Sequence, residues 1–479
     1  GYIYALGSPT PQPTLPIMPE STIDDWPMFH HDSNHTGTST AAASNNNLLW
    51  RFFTSDVIRS SAAIVKGVGY VGTNNGYVIC FNAASGSSIW EYNSRSQIES
   101  SPAVVDGVVY IGVLWDGHNG YVDALNASDG SAIWRFATNS GIESSPTVVN
   151  GVVYIGSYYG YIYALNATSG TLIWSYLTGG TVFSSPAVAD GVVYVGSGDG
   201  KIYALDSVNG APIWSSHTGG QVYSSPAIVD NVVYVGSQDH SVYALKVSDG
   251  SQIWRFATGG LVDSSPAVAD GKVYVNSGNG YIYALNITNG SLIWETQAGF
   301  GPHNPNGYVY SSPTVAGNTV VVGSYDGYVL ALKTSDGSII WSYPTGGFVF
   351  ASPTVVNFVV YIASFDGNVY ALGTSSTPTP TPQPTVAPSL IPASTPTPTA
   401  TPPQTPQPTA IPNPGATLPP MQYQAPVQAS INQPTPEPEV AANPNQNNFA
   451  DLLILGAIII TAVTALIYFV QILRNQGPQ

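Results

Sequence analysis

The sequence predicts an all-β protein whose body is an eight-bladed β-propeller, and three observations predict it. Trp50, Trp90, Trp134, Trp174, Trp214, Trp254, Trp294 and Trp341 recur at intervals of 40, 44, 40, 40, 40, 40 and 47 residues. Self-similarity at this period marks an array of units, none of which can bury its apolar face without its neighbours. Each unit, such as the one from Ser184 to Trp214, holds four short β-branched or aromatic runs cut by Asp-Gly and Asn-Gly, so a unit is four strands and three turns. The third observation is negative: no stretch of the array carries a 3.6-residue apolar period.

The elements follow in order. Inner strands begin at Ser60, Ser100, Ser144, Ser184, Ser224, Ser264, Ser311 and Ala351, which sets eight blades. The last unit has three strands before the composition changes, while residues 47–54, with Trp50, form a fourth-strand sequence with no predecessors. The two ends complete one blade, a "Velcro" closure that leaves no strand edge open. Pro102, Pro146, Pro186, Pro226, Pro266, Pro313 and Pro353 fall at the innermost strands, where a missing N–H discourages stray edge pairing.

The third strand and its turn carry a family resemblance. Ala164-Leu165-Asn166-Ala167-Thr168-Ser169-Gly170-Thr171-Leu172-Ile173-Trp174 resembles the tryptophan-docking motif of the pyrroloquinoline-quinone (PQQ) propeller repeats, and the pattern recurs from Ala124 to Trp134, Ala204 to Trp214 and Ala284 to Trp294. The opening stretch from Asp25-Trp26-Pro27-Met28-Phe29-His30-His31-Asp32 to Thr36-Gly37 is similar to the segment that leads into such propellers. The resemblance covers residues 24–373 and implies one of two functions. One is a PQQ-dependent quinoprotein dehydrogenase acting on alcohols or sugars with a calcium ion. The other is a non-catalytic binding propeller such as the lipoprotein of the outer-membrane β-barrel assembly machinery. Such dehydrogenases typically place a vicinal disulfide against the quinone, and this chain has one cysteine. Cys80 stands at a third-strand position that is alanine in most sibling units and reads as a small buried hydrophobe. The expectation is therefore a non-enzymatic binding propeller with no cofactor, no metal and no catalytic residue.

Internal comparison of the units locates a binding face. The residue just before the inner-strand serines varies while its neighbours hardly do: Arg59, Glu99, Glu143, Phe183, Tyr223, Asp263, Tyr310 and Phe350. Propeller geometry places these eight around one mouth of the central channel. Two insertions that break the 40-residue spacing open on the same face. One is Val113-Leu114-Trp115-Asp116-Gly117-His118-Asn119-Gly120, and the other is residues 299–307. Loops that break a repeat are where binding concentrates, so Trp115, Asp116, His118, Phe300 and His303 join the expected site. His30, His31 and His35 lie in the lead-in and read as solvated or packed rather than as ligands. No nucleophile elbow or Walker loop appears.

Composition sets the surroundings. There are 27 acidic against 11 basic residues, which argues against nucleic acid as a partner. From 374 to 450 lie 21 of the 39 prolines, among Thr, Gln, Ala and Ser. This segment cannot form a core and reads as a stalk. Residues 452–473 are uncharged and long enough to span a bilayer as a helix, with 474–479 left as a short tail. Arg474 after the span and Glu437, Glu439 and Asp451 before it place the tail inside and the propeller outside. Residues 1–6 repeat a third-strand sequence, so 1–23 reads as the end of a preceding propeller and a linker. Asn34, Asn126, Asn166, Asn286 and Asn289 match the N-glycosylation pattern. The expected protein is a monomeric, membrane-anchored external propeller that binds a protein or a cell-surface glycan.

Overall fold

The computed structural model describes residues 25–43, 45–114, 119–298 and 311–374. The remnant strand of 1–23, the stalk and the 452–473 span lie outside these residues. Among the described residues no helix is long and apolar enough to cross a membrane.

Eight sheets form, one per unit. In the first blade the strands Ala63–Val65, Val68–Gly72, Tyr77–Asn82 and Ser88–Asn93 pair antiparallel in sequence order, from the axis outward. The second and third strands are buried almost throughout because they lie between neighbouring blades, which is why they read as continuous runs of Val, Ile, Tyr and Leu. Outer strands alternate exposed and half-buried residues.

The expected closure is present. Leu48–Phe53 pairs antiparallel with Asn368–Gly373, placing Trp50 opposite Ala371 and supplying the outer strand of the blade whose inner strand is Thr354–Val356. The tryptophans dock as their spacing predicts. The Trp174 indole N–H donates to the Ser207 carbonyl of the next blade at 2.9 Å, and Trp214 to Val247 at 2.7 Å. The indole lies on the turn glycine: Gly210 has φ +72°, and a Cβ there would come within 2.6 Å of the Trp174 ring. At the closing blade the corresponding turn is missing, and Ala43 of the lead-in accepts the Trp341 N–H at 3.0 Å. Cys80 is buried in the third strand of the first blade, as its alanine siblings imply.

The lead-in does more than enter the ring. Trp26 and Ile64 exchange backbone hydrogen bonds of 2.7 and 2.9 Å. The carbonyls of Pro27, Ser33, Asn34, Thr36 and Gly37 then accept the N–H groups of Val104, Val188, Ile228, Val268 and Val315, at 2.7 to 3.0 Å. Thr38–Ser39 pairs parallel with Thr314–Ala316. One strand of chain thus circles the axis and bonds the inner edges of six of the eight blades. The prolines stand one residue ahead of the three-residue inner strands, and this segment pairs with the strand residues that follow them. Its tight winding takes left-handed backbone at His30, His31 and His35, with φ of 54°, 79° and 56°.

Candidate functional site

Seven blades deliver a described side chain to the axis by a four-residue device, with Ala351 in place of its first serine in the last blade. In the third and fourth blades, Ile142 and Val182 are fully buried, and a Cβ added to Gly156 would lie 2.2 Å from Val182 Cγ1. That close fit wedges one blade against the next. The residue after the wedge points into the channel. The serine after that is buried, and its hydroxyl accepts a backbone N–H from its own second strand, as Ser144 does from Gly156 at 3.1 Å. The second serine closes a circle. Ser61 N–H donates to Ser101 Oγ, Ser101 to Ser145, Ser145 to Ser185, Ser185 to Ser225, Ser225 to Ser265, Ser265 to Ser312, Ser312 to Ser352, and Ser352 back to Ser61, all at 2.8 to 3.0 Å. Serine is small enough for this crowded girdle and satisfies a backbone donor that would otherwise be buried unpaired.

Above the girdle is a cavity of about 510 Å³. Arg59, Glu99, Glu143, Phe183, Tyr223, Asp263 and Phe350 all line it, which brings together seven of the eight residues expected there. Tyr310 lies outside the described residues, as do Trp115, Asp116, His118, Phe300 and His303. The floor is Phe29 of the lead-in, stacked on His30 with ring centroids 4.6 Å apart and edge-on to His35 at 5.6 Å. The channel is therefore a funnel with a bottom rather than a pore. Burial holds the imidazoles of His30 and His35 far below their usual range, at about 3 and about 4, so both are neutral packing groups at pH 7.

The funnel has distinct walls. Tyr158, Phe183 and Tyr223 form one aromatic wall, with successive centroids 4.8 and 4.7 Å apart in edge-to-face contact. Opposite, Phe350 of the lining packs in a cluster with Tyr325, Phe348 and Phe365. Arg59 lies over the Phe350 and Phe365 rings, at 5.8 and 5.2 Å, and its Nη1 donates to Glu99 Oε2 at 3.0 Å. Among the described residues Glu143 accepts the Tyr158 hydroxyl, at 2.7 Å, and burial with the nearby Glu99 charge raises its carboxyl to about 7. Asp263 accepts the Gln238 amide at 3.0 Å; its second oxygen is buried and meets no partner among the described residues, and burial raises the carboxyl to about 6.

Sequence reasoning missed the second ring. Tyr158, Tyr325 and Phe365 stand two residues beyond the end of the second strand in their blades, the position of Asn74, Gly198 and Gly278 elsewhere, and Gln238 directly follows its second strand, Val232–Ser237. The available signal was again a position that varies within a constant frame. The tryptophans are structural, as expected. Asn126, Asn166 and Asn286 hold their turns together through the side-chain oxygen, and Asn289 is exposed. These turns adjoin the inner-to-second-strand turns, away from the mouth, as the Ala127 N–H bond to the Gly107 carbonyl shows. Asn34 lies in the lead-in, its backbone engaged with Ile228.

An eight-bladed repeat propeller with a floored, acidic and aromatic funnel is the class that this geometry defines. The family described as outer membrane protein assembly factor BamB matches residues 37–113, 118–227 and 209–381, and the chain belongs to it. Among solved structures it is similar to BamB from Moraxella catarrhalis, at 24% identity and TM-score 0.59, over 69% of this chain and 98% of that one. It is also similar to the quinohemoprotein alcohol dehydrogenase from Comamonas testosteroni, at 17% identity and TM-score 0.61, over 74% and 82%. A europium-containing methanol dehydrogenase gives 13% identity and TM-score 0.62, over 73% and 98%. At these identities the likeness is one of fold. No curated protein matches the chain.

Proposed function

We propose that this chain is a binding and scaffold propeller, displayed outside the membrane on its stalk and held by residues 452–473, and that its partner, a protein or a surface glycan, engages the funnel mouth. One observation carries the reading. The mouth is where the units differ, and seven of those differing side chains converge on one floored cavity while the frame around them repeats. Aromatic residues at the centre of a face, shielded from water by a partner, contribute most to binding. Leu114, the last described residue before the insertion, donates to the Gln97 carbonyl at 2.8 Å, two residues from Glu99 of the mouth.

The donors in the funnel speak against the dehydrogenase alternative. PQQ carries three carboxylates, and the described lining offers three carboxyls against one arginine that Glu99 already engages. Cys80 is buried among apolar residues with no second cysteine in the chain. Among the described residues no three His, Cys, Asp or Glu side chains gather to hold calcium.

A photo-crosslinking amino acid at position 183 of the full chain, expressed in its own cells, tests the face, with position 253 on an exposed outer strand as comparison. The reading expects a partner captured from 183 and not from 253. Capture from 253 alone, or dye reduction with alcohols or sugars once PQQ and calcium are added to the purified chain, overturns it.

A further inference from the structure

The funnel combines features that a neutral ligand would leave uncompensated. Its described lining carries Glu99, Glu143 and Asp263 against Arg59, and the arginine is committed to Glu99. Arg59, the cation nearest Glu143, is thus already bonded, and among the described residues neither Glu143 nor Asp263 forms an ion pair. They flank, in blade order, the aromatic pair Phe183 and Tyr223, whose rings meet edge to face at 4.7 Å. A ring face attracts positive charge, most strongly where water is excluded, and a carboxylate with a buried, unpartnered oxygen attracts it more. A neutral polyol can donate hydrogen bonds to these oxygens, but it leaves both charges buried without a counter-charge. Phe29 of the lead-in lines the cavity together with the mouth residues. The volume of about 510 Å³ suits a small organic molecule or an inserted side chain.

Resting on the mouth as the binding face, we propose that the funnel is a receptor for an organic ammonium or guanidinium group, held between the Glu143 and Asp263 carboxylates and against the Phe183 and Tyr223 rings. The group arrives either on a free small amine or on a basic side chain of a partner.

The site then has a built-in pH dependence. Facing Glu143 are the Tyr158 hydroxyl, the Glu99 carboxylate and the Arg59 guanidinium, and facing Asp263 is the Gln238 amide. With carboxyls at about 7 and about 6, both are ionised at pH 8 and both protonated at pH 5.

Calorimetric titration of the purified full chain in phosphate buffer tests this, with 1,5-diaminopentane against the neutral 1,5-pentanediol. A blocked pentapeptide with one central lysine is compared with the same peptide acetylated at that lysine. At pH 8 the diamine binds and the diol does not. Affinity falls at least about tenfold at pH 5, and similarly in Glu143→Gln and in Asp263→Asn at pH 8. Asp249→Asn, which removes one charge from an exposed turn, leaves it unchanged. A peptide that outbinds the diamine, and loses binding on acetylation, assigns the group to a partner protein; a diamine that alone binds assigns it to a free amine. Equal binding of diol and diamine, no diamine binding at pH 8, or indifference to both substitutions in chains that remain folded by circular dichroism overturns the proposal. If the amines fail while position 183 still captures a partner, the mouth remains the binding face and only its cationic ligand is lost.

Discussion

Two positions in each repeat stand two residues apart and behave oppositely. The second serine of the pair is serine in all eight blades, and the residue before the pair takes five identities in eight. Both reach the axis. The serine is held by its neighbours on either side of a closed hydrogen-bonded circle, so a change in one blade disturbs two. The residue before it sits above that circle, wedged from behind by a buried aliphatic, and its side chain enters open space. The contrast separates what keeps the ring shut from what the ring presents, and three changes probe it in order of size.

Removing residues 47–54 attacks the ring itself. The last blade would lose its outer strand and the first blade the Trp50 indole that donates to Ala83 at 3.1 Å. Calorimetry should show loss of the single cooperative transition, whereas unchanged melting would mean that the ring closes by other contacts.

Ser185→Ala attacks one link of the girdle. It leaves the buried Ser145 N–H without its acceptor, at a cost of about 1–3 kcal/mol. Urea unfolding should register that loss with the slope unchanged, and a neutral result would show that the circle of hydrogen bonds is incidental.

The frame was legible because it is written eight times. Trp50 without a preceding unit and Leu372 without a following one announced the closure, and Gly210 with Trp214 announced turn and dock. The seven described mouth residues were legible by the same comparison. Phe29 was not, because the lead-in occurs once and has no period to compare; its winding is set by inner-strand N–H groups that no sequence pattern displays. Tyr158 and Gln238 were legible in principle but stand beside turn residues that vary for their own reasons. The lead-in carbonyls that accept the Val104, Val188 and Val268 N–H groups were likewise not legible, since nothing in the inner strands signals their partner.

The smallest change tests the central claim, that the mouth is kept for binding rather than for the stability of the ring. In the folded chain the Glu143 and Asp263 carboxyls hold their protons up to about 7 and about 6, against 4.5 and 3.8 for ordinary groups. A folded-state value raised in this way gives stability that is fully present below about pH 4 and is lost as pH rises through 6 and 7, by up to about 3 kcal/mol per group. His30 and His35, whose values are lowered, act in the opposite direction, but they are common to parent and variant and cancel in the difference. The measurement is the melting temperature of Glu143→Gln combined with Asp263→Asn against the parent, from pH 4 to pH 8 in phosphate buffer free of amines. The variant should melt a few degrees above the parent at pH 8, with the gap closing toward pH 4. A variant that melts below the parent at pH 8 would show that these carboxylates hold the ring together, and would contradict the account.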